Sequence, residues 1–205
     1  MFDELALFGN VYGIEADPLA VSPNGRWSAK ISQGPFDASY QTSQRFDLIT
    51  MLDVLEHLPD APAALQRVHT LLRPTGTLVL TVPAFQLLWT SHDDLNHHYV
   101  RYRKASLHPL LKQANLRIVE SRYLFYWTCP VKLAIRIKER LIGRQAKLPQ
   151  VPHRWINQSL RQLTRCEERL SRIVPIPFGS SLLVVAQPAL PSDAQETRSP
   201  RHYSC

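Results

Sequence analysis

Between Phe46 and Pro83 a strand, a helix and a second strand follow at the spacing of a parallel crossover, which limits this 205-residue chain to α/β architectures. Phe46-Asp47-Leu48-Ile49-Thr50-Met51-Leu52 reads as a strand entering a core, and Asp60 stands where a helix N-cap is needed. Ala64, Leu65, Val68, Leu71 and Leu72 then recur at helical spacing until Arg73-Pro74-Thr75-Gly76 stops the helix. Thr77 to Val82 is a β-branched run closed by Pro83, which predicts a second strand parallel to the first.

Around this unit the pattern continues. Val11 to Glu15 predicts a buried strand stopping at an acid, Trp27 to Ile31 another strand, and residues 32 to 45 a loop. Residues 91 to 103 form a polar loop rich in His, Asp, Asn and Tyr, followed by a helix over Ala105 to Ala114 and a strand over Leu116 to Leu124. A last strand spans Ser181 to Ala186. The stretch between those two strands is far longer than the about two to five residues of a hairpin loop, and it has its own periodicity. Val131 to Arg144 sets Leu133, Ala134, Ile137 and Leu141 on one helical face amid Lys132, Arg136, Lys138, Arg140 and Arg144. Trp155 to Ile173 repeats the pattern with Ile156, Leu160, Leu163, Leu170 and Ile173 against Arg161, Arg165, Arg169 and Arg172. These readings predict an α/β core over 1–123 and 181–187, a basic helical insertion over 124–180 and a disordered tail over 188–205.

Charge follows the same division. Residues 1–100 carry a formal charge of −6, residues 101–172 carry +13, and the remainder is neutral. A basic second half faces an anionic membrane surface or a polyanionic substrate, or else is a solvated helical face. No recognised nucleic-acid motif accompanies it, which disfavours DNA or RNA as partner. No window approaches the roughly 18 apolar residues of a spanning helix, and the start Met1-Phe2-Asp3-Glu4 lacks a basic signal region. Cys129, Cys166 and Cys205 make no CxxC pair, so a reducing cytoplasm is expected, with the inner membrane face as the alternative site.

Two segments carry a resemblance. Phe46-Asp47-Leu48-Ile49-Thr50-Met51-Leu52-Asp53-Val54-Leu55-Glu56-His57 and Leu72-Arg73-Pro74-Thr75-Gly76-Thr77-Leu78-Val79-Leu80-Thr81-Val82-Pro83 together resemble the middle of class I S-adenosylmethionine-dependent methyltransferases, with Thr75 where that family usually has a glycine. The resemblance implies a Rossmann-like sheet, S-adenosyl-L-methionine as cofactor and methyl transfer to a small-molecule or lipid-linked acceptor. It makes Glu15 the acid that receives the ribose hydroxyls, while Met51 and Leu52 offer backbone carbonyls to the cofactor's ammonium group. Asp53 would emerge with Glu15 at the carboxyl ends of strands, where open α/β sheets bind ligands. Phe36 is placed to pack on adenine, ordinary core packing being the other reading.

Trp89-Thr90-Ser91-His92-Asp93-Asp94-Leu95-Asn96-His97-His98-Tyr99-Val100-Arg101-Tyr102 is similar to a segment of a bacterial subgroup of that family, in which Val100 is often an arginine. His97 or Asp93 there could take a proton from an acceptor hydroxyl, and a lid held by His and Asp hydrogen bonds is the competing reading. The spacing His92-x4-His97-His98 lacks the helical i, i+4 pair of a metal site, so no metal is expected. Arg154 to Arg169 and Val174 to Leu182 resemble the same subgroup's C-terminal extension.

The family's glycine-rich turn between first strand and first helix has no counterpart here. Gly9 and Gly13 bracket the start of a strand and cannot substitute for it. The sheet is therefore expected to lack its first strand, as in an N-terminally truncated polypeptide, and the chain to bind the cofactor weakly or not at all. A remnant fold that holds a partner without catalysis is the alternative.

Overall fold

The computed structural model describes residues 2–37, 39–143, 154–171 and 176–189, in two compact units, Met1–Ser43 and Gln44–Cys205. The tail beyond Ala189 lies outside the described residues, as do Arg144, Arg172 and Ile173 of the expected insertion helices.

In the first unit, helix α1 (Phe2–Leu5) precedes strands β1 (Gly13–Glu15) and β2 (Ile31–Gln33), which pair in parallel with Gly13 opposite Ile31 and Glu15 opposite Gln33. The Phe2 ring packs over Gly13, its tip 2.6 Å from where a Cβ would stand, so a side chain there would displace the ring. After β1 the Asp17 carboxylate accepts the Leu19 N–H at 2.8 Å and starts a 3₁₀ turn over Pro18–Ala20. The strand expected over Trp27 to Ile31 begins only at Ile31. Trp27 is held instead by its indole N–H, which donates to Asp3 at 3.1 Å, and by its ring against Phe2, so residues 28–30 turn as a 3₁₀ helix.

The second unit contains β3 (Phe46–Leu52), α2 (Ala61–Leu71), β4 (Leu72–Pro83), α3 (Ser91–Leu95), α4 (Lys104–Gln113), β5 (Leu116–Leu124), α5 (Thr128–Ile142), α6 (Arg154–Ser171) and β6 (Ser181–Pro188). Its sheet runs β3-β4-β6-β5, with β3 and β4 parallel and β6 antiparallel to both neighbours. The crossover read from the sequence is present. Asp60 accepts the Ala63 N–H at 2.9 Å to cap α2, which buries Ala61, Ala64, Leu65, Val68 and Leu71. Those side chains cover one face of the sheet, where Leu78, Leu80, Val82, Leu182, Val184 and Ala186 are fully buried and where α4 adds Leu107 and Leu111. The alternating residues Thr77, Val79, Thr81, Leu183 and Val185 are only half-buried, so the core is one-sided.

β4 starts earlier than the β-branched run. Leu72 already pairs with Phe46, and the register then jumps to Leu48 opposite Thr77, so residues 73–76 bulge. Gly76 makes that bulge fit, because a Cβ there would lie 2.7 Å from the Phe46 carbonyl oxygen. Among the described residues β3 pairs with β4 alone, and Leu48 and Leu52 stay nearly half exposed.

The expected insertion is a pair of helices. α5 buries no side chain, and Val131, Leu133, Ile135, Ile137 and Leu141 are exposed along it. Polar anchors hold it instead. Arg136 Nη1 donates to the carbonyls of Gln86 (3.0 Å) and Leu87 (2.6 Å), and Glu139 receives the Ser91 hydroxyl at 2.6 Å. α6 is tied through Glu167, which accepts the Tyr126 N–H at 2.9 Å. Among the described residues no helix is long and apolar enough to cross a membrane.

Candidate active site

The parallel strands β3 and β4 end together, and the chain beyond each carries the polar side chains that converge. Leaving β3, Asp53 takes a left-handed conformation (φ 53°). Its N–H is shared between the Thr81 carbonyl (3.0 Å) and hydroxyl (3.1 Å), and that hydroxyl donates back to the Asp53 carboxylate at 3.2 Å. The carboxylate of Asp53 is exposed, as is Leu52, whereas Met51 is buried.

A 3₁₀ turn over Leu55–His57 follows and seats Leu55 in the core. Glu56 beside it has no exposed surface, and neither of its carboxylate oxygens has a hydrogen-bond partner. Burial pushes its carboxyl up to about 8, its own backbone N–H and Arg101 opposing the shift and the nearby Asp53 and Asp93 charges adding to it. Glu56 is therefore mostly protonated at neutral pH. The turn is fixed from outside by Tyr99, whose N–H donates to the Glu56 carbonyl at 2.8 Å.

After β4, residues expected to be one polar loop form the short helix α3. The signal was present as a capping box. Asp93 accepts the N–H of Thr90 at 2.9 Å, in the T-x-x-D arrangement that opens helices. Asp93 is fully buried, and besides the Thr90 hydroxyl at 3.3 Å it meets two charged or titratable partners. Arg101 meets it in a fork, Nε to Oδ1 at 2.9 Å and Nη2 to Oδ2 at 3.2 Å, while its Nη1 donates to the Ala84 carbonyl at 3.0 Å. His98 Nδ1 lies 2.9 Å from Asp93 Oδ1. Burial alone would raise the Asp93 carboxyl, but the Thr90 N–H, Arg101 and His98 together hold it below the usual carboxylate range. An ionised carboxylate only accepts, so Nδ1 carries the proton and Nε2 is left for another partner. Burial lowers the His98 imidazole, with the Asp93 contact opposing that shift.

His57 packs edge-on against His98 with ring centroids 4.6 Å apart. Tyr102 is buried nearby, and burial together with the Glu56 charge pushes its phenol up to about 12. Lys132 of α5 reaches into the same electrostatic neighbourhood. Burial and then Arg101 lower its ammonium pKa, against the pull of Asp93, Cys129 and Asp53.

The site residues read from the sequence fall as follows. Asp93 is central but buried and paired, so it acts on its neighbours rather than facing a ligand. His97 is exposed, in a left-handed conformation (φ 56°), and the imidazole brought to Asp93 is that of His98. Met51, Leu52 and Asp53 end β3 in the second unit. Glu15 and Phe36 belong to the first unit. There Glu15 ends β1 and accepts the Asp17 N–H at 3.0 Å, and the Phe36 ring lies 5.9 Å from that of Tyr40. Glu56, His98, Arg101 and Lys132 had no assigned chemistry in the sequence reading. Glu56 and Arg101 stood inside quoted motifs, but burial is what distinguishes them and no spacing displays it.

Comparison with known proteins follows the same lines. The model of a methyltransferase-domain family matches residues 4–121. Among characterised proteins the chain is 27% identical over 126 residues to the ubiquinone biosynthesis O-methyltransferase of Xanthomonas axonopodis pv. citri, covering 54% of this chain and 53% of that protein. It is 30% identical over 126 residues, with the same coverage, to the enzyme of the same name from Xanthomonas campestris pv. campestris strain B100. The chain thus spans about half the length of these relatives. Among solved structures, an S-adenosylmethionine-dependent methyltransferase from Clostridium acetobutylicum aligns over 92% of this chain and 79% of its own, with TM-score 0.53 and 8% identity. A SAM-dependent methyltransferase from Archaeoglobus fulgidus aligns over 91% and 80%, with TM-score 0.51 and 15% identity. At such identities the structural likeness speaks for the fold, which is the Rossmann-like one expected from the sequence.

Proposed function

We infer the function from one premise: this chain belongs to the methyltransferase-domain family, whose cofactor is S-adenosylmethionine. The proposed reaction is transfer of the sulfonium methyl group to an acceptor hydroxyl. The observation that carries the reading is the family match, joined to a buried acid–base cluster at the shared end of two parallel strands, where α/β sheets bind ligands.

The residues present fit parts of such a cofactor. Asp53 turns out of β3 with an exposed carboxylate, and Leu52 beside it is exposed. In the first unit Glu15 ends β1 with a carboxylate suited to a ribose diol. When bound, S-adenosylmethionine supplies a methyl group that a nucleophile displaces in line. The chain's own contribution is alignment plus a proton acceptor. In this reading His98 Nε2 takes the acceptor's proton, and Asp93 is a positioning residue that fixes the tautomer and stabilises the imidazolium.

The acceptor we propose is lipid-linked or membrane-proximal. Two observations support this: the relatives named for ubiquinone biosynthesis, and α5, where Val131, Ile135, Ile137 and Leu141 are exposed together with Lys138 and Arg140. Sedimentation with vesicles checks it: the chain should pellet with vesicles containing anionic lipid and stay in the supernatant with purely zwitterionic ones. Equal behaviour on both would remove the anionic-surface part.

Cofactor affinity separates catalysis from the alternative, a partner-binding remnant. The 205-residue sequence holds no glycine-rich strand-to-helix turn, the feature that favours the remnant. Calorimetric titration with S-adenosylmethionine should therefore show weak binding that Asp53→Ala weakens further. Complete lack of heat at millimolar cofactor would favour the remnant, and tight binding would show that the missing turn is dispensable.

A further inference from the structure

We propose that Glu56, His57 and His98 form a binding site for a divalent transition-metal ion, Zn²⁺ being the ion that the ligand set suits best. One ligand atom from each residue lies within 4.8 Å of the other two. Tetrahedral zinc holds its ligands about 3.4 Å apart, given metal–ligand bonds of about 2.1 Å. Small side-chain rotations close that difference, and His57 is exposed and free to make them.

A second observation points to the same ligand independently. Glu56 is fully buried and both of its oxygens lack a hydrogen-bond partner, an uncommon state for a buried polar group and one that a bound cation would resolve. Arg101 does not serve, since its guanidinium is engaged by Asp93 and the Ala84 carbonyl. A cation among Glu56 and the two imidazoles supplies the missing partner.

The surroundings of His98 are those of a metal ligand. Its Nδ1–H is fixed on the Asp93 carboxylate at 2.9 Å, which leaves Nε2 as the coordinating atom and sets the ring plane. Asp93 is itself immobilised by the Arg101 fork and the Thr90 N–H. Two imidazoles and one carboxylate favour zinc and its first-row neighbours over magnesium or calcium, which take oxygen. These ligands are not the His92, His97 and His98 run weighed in the sequence. They come from the turn after β3 and the segment after α3, which only the fold brings together.

Three protein ligands leave a fourth tetrahedral position open, as in catalytic zinc sites. On ion binding the Glu56 carboxyl gives its proton to solvent. An acceptor hydroxyl that occupies the open position likewise loses its proton to solvent and keeps the electron pair for attack on the methyl group, so His98 is no longer needed as base. That use rests on the methyl-transfer reading, whereas the site itself rests only on the second unit.

The test uses the full chain, stripped with EDTA and desalted. Calorimetric titration with Zn²⁺ should give one equivalent, and Co²⁺ should produce the visible absorption of a low-symmetry site. His57→Gln and His98→Gln should each weaken Zn²⁺ binding at least about tenfold, while His97→Gln leaves it unchanged. Lack of Zn²⁺ binding by the wild-type chain, or wild-type affinity in both His57→Gln and His98→Gln, would overturn the site. If His98→Gln does not fold, exposed His57 decides alone, with far-UV circular dichroism confirming its fold. Zinc binding without S-adenosylmethionine binding would uphold the site and count against methyl transfer. Cofactor binding without zinc binding would do the reverse.

Discussion

Replacing Arg101 by Met should cost the second unit about 3–5 kcal/mol, the loss typical of stranding one member of a buried ion pair. Arg101 is 4% exposed and Asp93 has no exposed surface. Removing the guanidinium deletes two charge-assisted hydrogen bonds to Asp93 and one to the Ala84 carbonyl. The carboxylate left behind keeps the Thr90 N–H and hydroxyl and His98 Nδ1, so it must either stay charged in a poorly solvating interior or take up a proton and loosen these contacts. Urea unfolding followed by circular dichroism measures the loss. A drop in melting temperature on the order of 10 °C accompanies it, at about 2–4 °C per kcal/mol for a chain of this size. Arg73→Met is the comparison, since it breaks the Arg73–Asp47 pair at 3.2 Å, whose side chains are both more than half exposed. That substitution should change stability by under about 1 kcal/mol. Equal urea midpoints for Arg101→Met and wild type would show that the buried fork does not hold α3 in place.

Some of this architecture is legible before any coordinates. The β3–α2–β4 crossover follows from Asp60 at an N-cap, the Ala64/Leu65/Val68/Leu71 stripe and a β-branched run closed by Pro83, because each is a local signal of one element. The helical insertion follows from length and periodicity in the same way. Trp27 shows where local signals stop: its strand-like neighbourhood is overridden by a hydrogen bond to Asp3, more than twenty positions away. The candidate site fails to show for the same reason. Glu56 and His98 are far apart in sequence, and what marks them is a buried carboxylate without partners and an imidazole fixed on Asp93. The neighbouring His97 has the same chemistry and a similar position, yet a left-handed backbone leaves it in solvent. Lys132 likewise reads as one cation among many on a basic helix, and only the placement of α5 brings it within reach of Asp53 and Asp93.

Between pH 5 and pH 8, in the presence of a chelator, the wild-type chain should lose stability that Glu56→Gln retains. In the folded chain burial holds the Glu56 carboxyl at about 8, against the ordinary 4.5 of an exposed glutamate. Below pH 4.5 both states are protonated and the residue contributes nothing to the pH dependence. As pH rises above 4.5 the unfolded chain releases this proton and the folded chain does not, so unfolding becomes progressively favoured. The slope is about 1.4 kcal/mol per pH unit, fading as the folded carboxyl itself ionises. From pH 5 to pH 7 the accumulated difference is on the order of 2 kcal/mol. Other groups titrate in the same window, among them His98, whose lowered imidazole acts in the opposite direction near pH 6. Subtracting the Glu56→Gln curve from the wild-type curve removes them, because Asp53, Asp93, Arg101 and Tyr102 face position 56 in both chains. Urea midpoints at each pH give the two curves, and parallel curves would mean that the carboxyl ionises freely. Adding Zn²⁺ in place of chelator should flatten the wild-type curve, since a cation bound to Glu56 supplies the opposite charge that the folded chain lacks. The pH-dependent cost of this acid and its proposed role as a ligand thus have one physical origin, a buried carboxyl whose ionised form has no protein partner.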